Sequence, residues 1–284
     1  SDKLQFRLGH HFLDRRIGRI VHSRAFRGEK KVIYMKKNLF ILFLATIATS
    51  CSQKEIVLRT MTYNTYSGRN AGIEAIADAI RRNNPDLVAL QEVERFTELN
   101  PGDTPAILAE MTGLKYHAFI HALDIRSGGD YGNVILSKYP ILEERSFRLG
   151  IPGRDYMRSF GYVRIRKQGH DICFATTHLD HKADDSLRIA QIREILRLTE
   201  HINIPIILGG DMNARPEEAP IQLLASKFNV GNSCSELTTD DDGGKTIDYL
   251  MYTPESAFEV ISHEVDYGAA KASDHYPVLV TFKL

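Results

Sequence analysis

The chain has 284 residues, enough for one large domain or two small ones, and its 43% apolar content is ample for a packed core. Lys plus Arg equals Asp plus Glu at 36 each, so a net charge of zero supplies no long-range field to gather a polyanion or coat an anionic membrane. Cys51, Cys173 and Cys234 make neither a disulfide framework nor a zinc site, and Cys173, inside Asp171-Ile172-Cys173-Phe174-Ala175, reads as a small apolar core residue.

Met35-Lys36-Lys37-Asn38 precedes an apolar run from Leu39 to Ala48 and then Thr49-Ser50-Cys51. A basic start, a short apolar stretch and small residues before a cleavage point make a secretory signal, too short for an ordinary membrane span. The end Ala48-Thr49-Ser50-Cys51 resembles a bacterial lipobox, in which the Cys is lipidated and becomes the mature N-terminus. The expectation is a signal peptide over 35–51 and a single domain over 52–284, anchored through lipidated Cys51 in a bacterial cell envelope, on its periplasmic or outer-membrane face. Residues 1–34 lie upstream of that signal, are rich in Arg and His, and are expected to be a non-native or wrongly assigned segment.

Ile56 to Tyr63 reads as a first strand with Asn64 at its C-terminal end, and Ile73, Ile76, Ala77 and Ile80 recur at helical spacing. Asn83-Asn84-Pro85-Asp86 breaks that helix, and Leu87-Val88-Ala89-Leu90 is a second strand, delivering Gln91 and Glu92 at its exit. Residues 93–115 read as a loop and a short helix, Tyr116 to His121 as a strand, Ser127 to Asp130 as a turn, and Tyr131 to Ser137 as another strand, with Tyr139-Pro140-Ile141 turning into the next. Ser159 to Arg166 and Asp171 to Thr177 alternate as a hairpin, and the second strand runs into His178-Leu179-Asp180-His181.

Asp184 and Asp185 stand where carboxylates complement the positive end of a helix, whose inward face is Ile189, Ile192, Leu196 and Thr199, with Arg188 and Gln191 read as solvated. Ile204 to Leu208 is a buried strand leading into Gly209-Gly210-Asp211-Met212-Asn213-Ala214. There the glycines are read as a sharp turn, and Asp211 with Asn213 offers an anionic acceptor beside a neutral amide donor, a pairing that suits water activation next to phosphate. Taken alone, the same residues describe an Asx turn capping the next helix, expected from Pro216.

Thr238 to Lys245, with three consecutive Asp, reads as a solvated loop whose spacing does not fit a calcium loop. Thr246 to Tyr252 is a strand carrying Asp248 within an apolar run, which is costly to bury unless something pairs with it. Phe258 to Val265 is a further strand, and Ser273-Asp274-His275-Tyr276-Pro277 precedes the closing strand, Val278 to Phe282.

Asn64, Glu92, His178, Asp211, Asn213, Asp248, Asp274 and His275 all fall at or near strand ends, where a rigid sheet can carry catalytic side chains. In order, Thr62-Tyr63-Asn64, Leu90-Gln91-Glu92-Val93, Tyr131-Gly132-Asn133 with Ile135-Leu136-Ser137, Thr177 to His181, Gly210 to Asn213, Ile247-Asp248-Tyr249 and Ser273-Asp274-His275 resemble the motifs of the endonuclease/exonuclease/phosphatase family.

The resemblance covers nearly everything after residue 56. It implies an α/β (α+β) fold of the DNase I-like kind: a four-layer sandwich with two mixed sheets face to face and helices outside. It also implies metal-assisted hydrolysis of a phosphodiester or phosphomonoester. Glu92, Asn64 and Asp274 would hold Mg²⁺ or Mn²⁺, and oxygen donors without a thiolate suit such a hard cation. Asp211 would orient the attacking water, Asn213 and His178 would hold phosphate oxygens, and His275 would face the phosphate, tuned by Asp248.

The substrate is expected to be a phosphate ester, a small molecule or lipid headgroup before a nucleic acid, and the protein a monomer. Residues 94–106 depart from the arginine-containing segment of the family, and Thr246 stands where a basic residue is common, which argues against a long polyanion. The alternatives are a nuclease of the same family and a non-catalytic envelope lipoprotein using the same fold to bind.

Overall fold

The computed structural model describes residues 55–150, 158–240, 243–254 and 258–284. The signal peptide expected over 35–51, its Cys51 and the segment 1–34 lie outside the described residues. The chain opens as β1 (Val57–Asn64), α1 (Gly72–Asn83), β2 (Leu87–Arg95), α2 (Thr104–Thr112), β3 (Tyr116–Asp124) and β4 (Asp130–Ser137). It continues as β5 (Glu143–Leu149), β6 (Arg158–Lys167), β7 (His170–His178), α3 (Ser186–Thr199), β8 (Ile206–Asp211), α4 (Ala219–Leu224) and β9 (Asn229–Val230), and ends with β10 (Asp248–Tyr252), β11 (Glu259–Val265) and β12 (Val278–Lys283).

Among the described residues these strands form two six-stranded mixed sheets, ordered β11-β12-β1-β2-β4-β3 and β5-β6-β7-β8-β10-β9. In each sheet one pair is parallel, β1 with β2 and β7 with β8. Parallel neighbours need a crossover, and α1 and α3 supply the two. The apolar residues sort into three clusters that define four layers. Leu58, Ala89, Ile120, Ile135, Val163, Phe174, Ile207, Leu250 and Phe282 fill the space between the sheets. Ile76, Ala77 and Ile80 of α1 and Leu108 of α2 pack on the outer face of the first sheet, and Ile192 and Ile195 of α3 with Ile221 and Leu224 of α4 cover the second. This is the DNase I-like sandwich the motifs imply.

Three local readings are corrected. Gly209 and Gly210 are not a turn but the last residues of β8 before Asp211. A Cβ on Gly209 would stand 2.9 Å from that of Ala89 and 3.1 Å from that of Thr62, so this glycine lets the two sheets approach where the site is built. The helix expected from Pro216 starts at Ala219, with Pro220 in its first turn. Arg188 and Gln191 are buried rather than solvated, and they displace Ile189 and Leu196 from the fully inward face of α3.

Candidate active site at one edge of the sandwich

Register alone gathers most of the chemistry-bearing residues. His178 ends β7 opposite Asp211 at the end of β8, Asp211 stands opposite Asp248 at the start of β10, and Asn64 at the end of β1 is opposite Gln91. Each is within 3% exposure of complete burial, so unpaired charge here is costly and every partner counts.

Glu92 does not stand at a strand exit, as its sequence suggests, but inside β2. The pairing with β4 shifts between Leu90 and Val93, and Glu92 takes φ 56°, a left-handed conformation rare for a side chain of its kind. The bulge takes Gln91 and Glu92, with their carbonyls, out of the pairing with β4. Thr65 recovers them: its N–H and Oγ1 each donate to Gln91 O at 3.0 Å, and its Oγ1 lies 2.9 Å from Glu92 O. Ser67 Oγ adds a hydrogen bond to Glu92 O at 3.0 Å. Tyr66, Ser67, Phe96 and Asn213 also hold positive φ around this edge, and such backbone concentrates where function requires it.

The Asn64 amide nitrogen donates to both Glu92 Oε1 (3.3 Å) and Asp211 Oδ2 (3.0 Å), while its oxygen accepts from Tyr66 N at 3.1 Å. Asn64 therefore bridges two acids with its donor end, and its oxygen, expected to serve a cation, keeps a single lone pair. Ser273 Oγ donates to Asn64 O at 2.8 Å and meets Asp274 Oδ1 at 3.2 Å, which ties Asp274 to the same corner.

Asp211 divides its two oxygens between structure and site. Oδ1 accepts from Asn213 N at 2.9 Å, closing the Asx turn, although the helix cap falls to Glu218 instead. Oδ2 is approached by Asn64 Nδ2, by His178 Nε2 at 3.3 Å and by His275 Nε2 at 3.8 Å. Burial first, and then the charge of Asp248, push the Asp211 carboxyl up to about 7.

Asp248 is fully buried, and its Oδ2 accepts from Thr238 Oγ1 at 2.7 Å and pairs with His275 Nδ1 at 2.9 Å. Burial opposes a charge on His275, but Asp248, by charge and hydrogen bond, then Asp211 and Asp274, outweigh it and raise its pKa to about 10. The run from Thr238 is thus not simply solvated: Thr238 is buried beneath Asp248, and Thr239 bridges to the His275 backbone. His178 behaves oppositely. Burial, then the Arg158 charge, hold its pKa well below the usual imidazole range, so the ring is neutral. Arg158 Nη1 lies 2.7 Å from His178 Nδ1, and Asn213 Nδ2 lies 3.0 Å from Nε2.

The loop after His178 is held from below by α3. Gln191 Oε1 accepts from Asp180 N at 2.9 Å, and Arg188 Nη1 donates to Asp180 O at 3.0 Å. Arg158, Arg188, Gln191 and Thr238 carry no motif signal of their own; a polar residue on the apolar face of α3 is the one cue the sequence offers for Arg188 and Gln191.

Among the described residues at this edge, two places suit a cation. Ligand atoms of Asp211, Asp248 and His275 lie within 4.8 Å of one another, a possible Asp/His metal group, but the cationic His275 already balances that pair of acids. Glu92 is different: its side chain is 23% exposed and, among the described residues, no protein group meets its Oε2. With Asp274 nearby and the free lone pair of Asn64, this all-oxygen donor set fits a hard divalent cation.

The chain is similar to known proteins over most of its length. Nocturnin of Drosophila melanogaster is 28% identical over an alignment 277 positions long, gaps included, that covers 74% of this chain and 41% of that one, and a putative neutral sphingomyelinase of the same fly is 24% identical over an alignment of 234 positions that covers 74% and 49%. The chain thus spans less than half the length of either relative. The crystal structure of an endonuclease/exonuclease/phosphatase from Beutenbergia cavernae superimposes with a TM-score of 0.70 at 25% identity, covering 80% of this chain and 72% of that one. The model of the Endonuclease/Exonuclease/phosphatase family matches residues 61–275, a span that runs from β1 to His275. Its homologues are hydrolases of phosphate esters, typically dependent on a divalent metal, and the chain described here belongs to that family.

Proposed function

We propose that the protein is a Mg²⁺- or Mn²⁺-dependent phosphoesterase that hydrolyses a phosphodiester carried by a small molecule or lipid headgroup. The observation that carries this reading is the buried Asp211 carboxylate, whose Oδ2 faces Asn64, His178 and His275 while its other oxygen is spent on the turn.

Asp211, raised toward neutrality by burial, is suited to take a proton from water as the water oxygen attacks phosphorus. A new P–O bond forms, the ester P–O bond breaks, and the leaving oxygen takes a proton from solvent and departs as the alcohol, while the proton held by Asp211 returns to solvent. His275, held cationic by Asp248, supplies a charged donor to the phosphate, and Asn213 and His178 supply neutral N–H groups as negative charge builds. Glu92 and Asp274 would hold the cation, with the Asn64 oxygen beside them. When bound, the cation neutralises charge on the phosphate oxygens in the transition state.

A net charge of zero favours a compact substrate over a long polyanion, and the name of the sphingomyelinase-like relative supports a lipid phosphodiester. The basic, apolar and small-residue run ending at Cys51 supports an envelope lipoprotein. Sphingomyelin, a small chromogenic diester, inositol phosphates, single-stranded DNA and RNA, tested side by side with full-length protein, separate these classes: turnover confined to the nucleic acids would make the protein a nuclease. Radiolabelled fatty acid should enter the wild-type protein and not Cys51→Ser; label in both would contradict the anchor.

A further inference from the structure

Arg158 opens β6, and its side chain is buried at 2% exposure beside the site. Its Nη1 lies 2.7 Å from His178 Nδ1 and its Nη2 lies 3.1 Å from His181 Nδ1, so one guanidinium reaches both histidines of the His178-Leu179-Asp180-His181 element. A guanidinium only donates and stays charged at any pH the protein meets. A ring nitrogen facing it must be an acceptor.

At His178 a second group competes for that assignment. The Asn213 amide nitrogen lies 3.0 Å from His178 Nε2, and its identity as nitrogen is fixed by Leu179 O, to which it donates at 3.1 Å. Arg158 asks Nδ1 to accept, Asn213 asks Nε2 to accept, and a neutral imidazole can satisfy one of them. Charge-assisted hydrogen bonds are shorter and roughly twice as strong as neutral ones, and the Arg158 contact is both charged and shorter. Arg158 wins, and the His178 proton is on Nε2.

We infer that Arg158 is a positioning residue that locks His178 as the Nε2–H tautomer. With the proton there, His178 Nε2 and Asn213 Nδ2 are two N–H donors side by side at 3.0 Å, an arrangement that serves an acceptor oxygen shared between them. In the free protein Asp211 Oδ2, at 3.3 Å, accepts from Nε2. During turnover, on the proposed reading, a phosphate oxygen takes that place. The same lock bars His178 from acting as a base and from ligating a cation through Nε2, leaving the base role to Asp211 and the cation to oxygen donors. It also explains why a buried arginine stands beside a histidine whose ring must stay neutral.

Long-range ¹H–¹⁵N correlation of the imidazoles in full-length protein, freed of divalent cations by chelator, reads the tautomer directly, with His178 identified by the signals missing in His178→Gln. In the wild type, His178 should be the neutral Nε2–H form throughout the range from about pH 6 to 8. In Arg158→Met it should move to the Nδ1–H form or a mixture, while His275 keeps its wild-type signals as a control for the fold. An Nδ1–H or cationic His178 in the wild type overturns the inference, whether or not the variant folds, and so does an unchanged tautomer in folded Arg158→Met. Kinetics add a second readout: kcat of Arg158→Met should fall about 10- to 100-fold with a smaller change in KM, as when a histidine loses the partner that orients it. If the wild-type protein turned over no phosphate ester, the proposed function would fail while the tautomer measurement still decided the role of Arg158.

Discussion

His275 Nδ1 lies 2.9 Å from Oδ2 of the fully buried Asp248, and Thr238 Oγ1 meets that same oxygen at 2.7 Å. An acid inside an apolar strand is thereby paired, and an imidazole at the same edge as Asp211 holds a charge that burial opposes. The consequences are measurable in the protein freed of divalent cations. By NMR the His275 ring should remain cationic beyond pH 8, with its pKa at about 10, and Asp248→Asn should return it toward the ordinary value of 6.5. Because the folded value is the higher one, the stability this pair contributes is fully present below 6.5 and is lost as pH rises through about 10. A His275 that titrates near 6.5 in the wild type would contradict this relationship.

Thr238 is the support of that pair. Besides donating to Asp248, its Oγ1 accepts from Ile247 N at 3.0 Å and Asp248 N at 3.1 Å, so Thr238→Val leaves buried polar groups without partners. Unfolding by urea should show a loss of about 1–3 kcal/mol. A change within a few tenths of a kcal/mol would mean that another group replaces the hydroxyl.

Asp211 makes a prediction of the opposite practical kind. Its folded pKa is raised to about 7 from 3.8, so the folded state is favoured at low pH and bears a rising cost as pH climbs through that window. Without divalent cation, the stability of Asp211→Asn relative to the wild type should therefore rise as pH climbs from about 4 to about 8, as followed by denaturant melts, on top of a constant cost from the amide donor that replaces the Oδ2 acceptor of Asn64 Nδ2. An isosteric amide preserves the acceptor for Asn213 N, so the turn is not the variable. A difference that does not change with pH would remove the raised carboxyl from the account.

Asn213 combines a turn conformation, φ 47°, with a side-chain donor. Asn213→Gly keeps the first and deletes the second. Its kcat should fall on the order of 10²- to 10³-fold, the usual cost of one preorganised donor. Thermal stability should fall modestly, because Leu179 O loses the amide that donates to it. A kcat within a few-fold of wild type would show that the donor does not serve the transition state.

The sandwich was legible because strands alternate or run apolar between turn residues, and because Ile76, Ala77 and Ile80 repeat with helical period. The parts that escaped are those decided by distant partners. Nothing around Gly209 announces that Thr62 and Ala89 of the other sheet press against it, so a glycine pair looks like a turn. Glu92 looks like a strand exit because the bulge is stabilised by Thr65 and Ser67, 27 and 25 residues away. Arg158 and His178 are separated by 20 residues, and only the β6–β7 hairpin brings them within 2.7 Å. The Asp248–His275 pairing was inferable, since a buried acid demands a partner and the resemblance named one. Its third member, Thr238, begins a polar, Asp-rich run and reads as solvent-facing.

Hydrolysis of a chromogenic phosphodiester by purified full-length protein, with Mg²⁺ or Mn²⁺ and with chelator, for the wild type, Asp211→Ala and His275→Ala, tests the central claim most directly. The expected result is turnover that requires the cation and falls by about 10²- to 10⁴-fold in both variants, the range for losing a proton acceptor or a preorganised charge. Equal turnover by the wild type and both variants, or turnover indifferent to chelator, would contradict it.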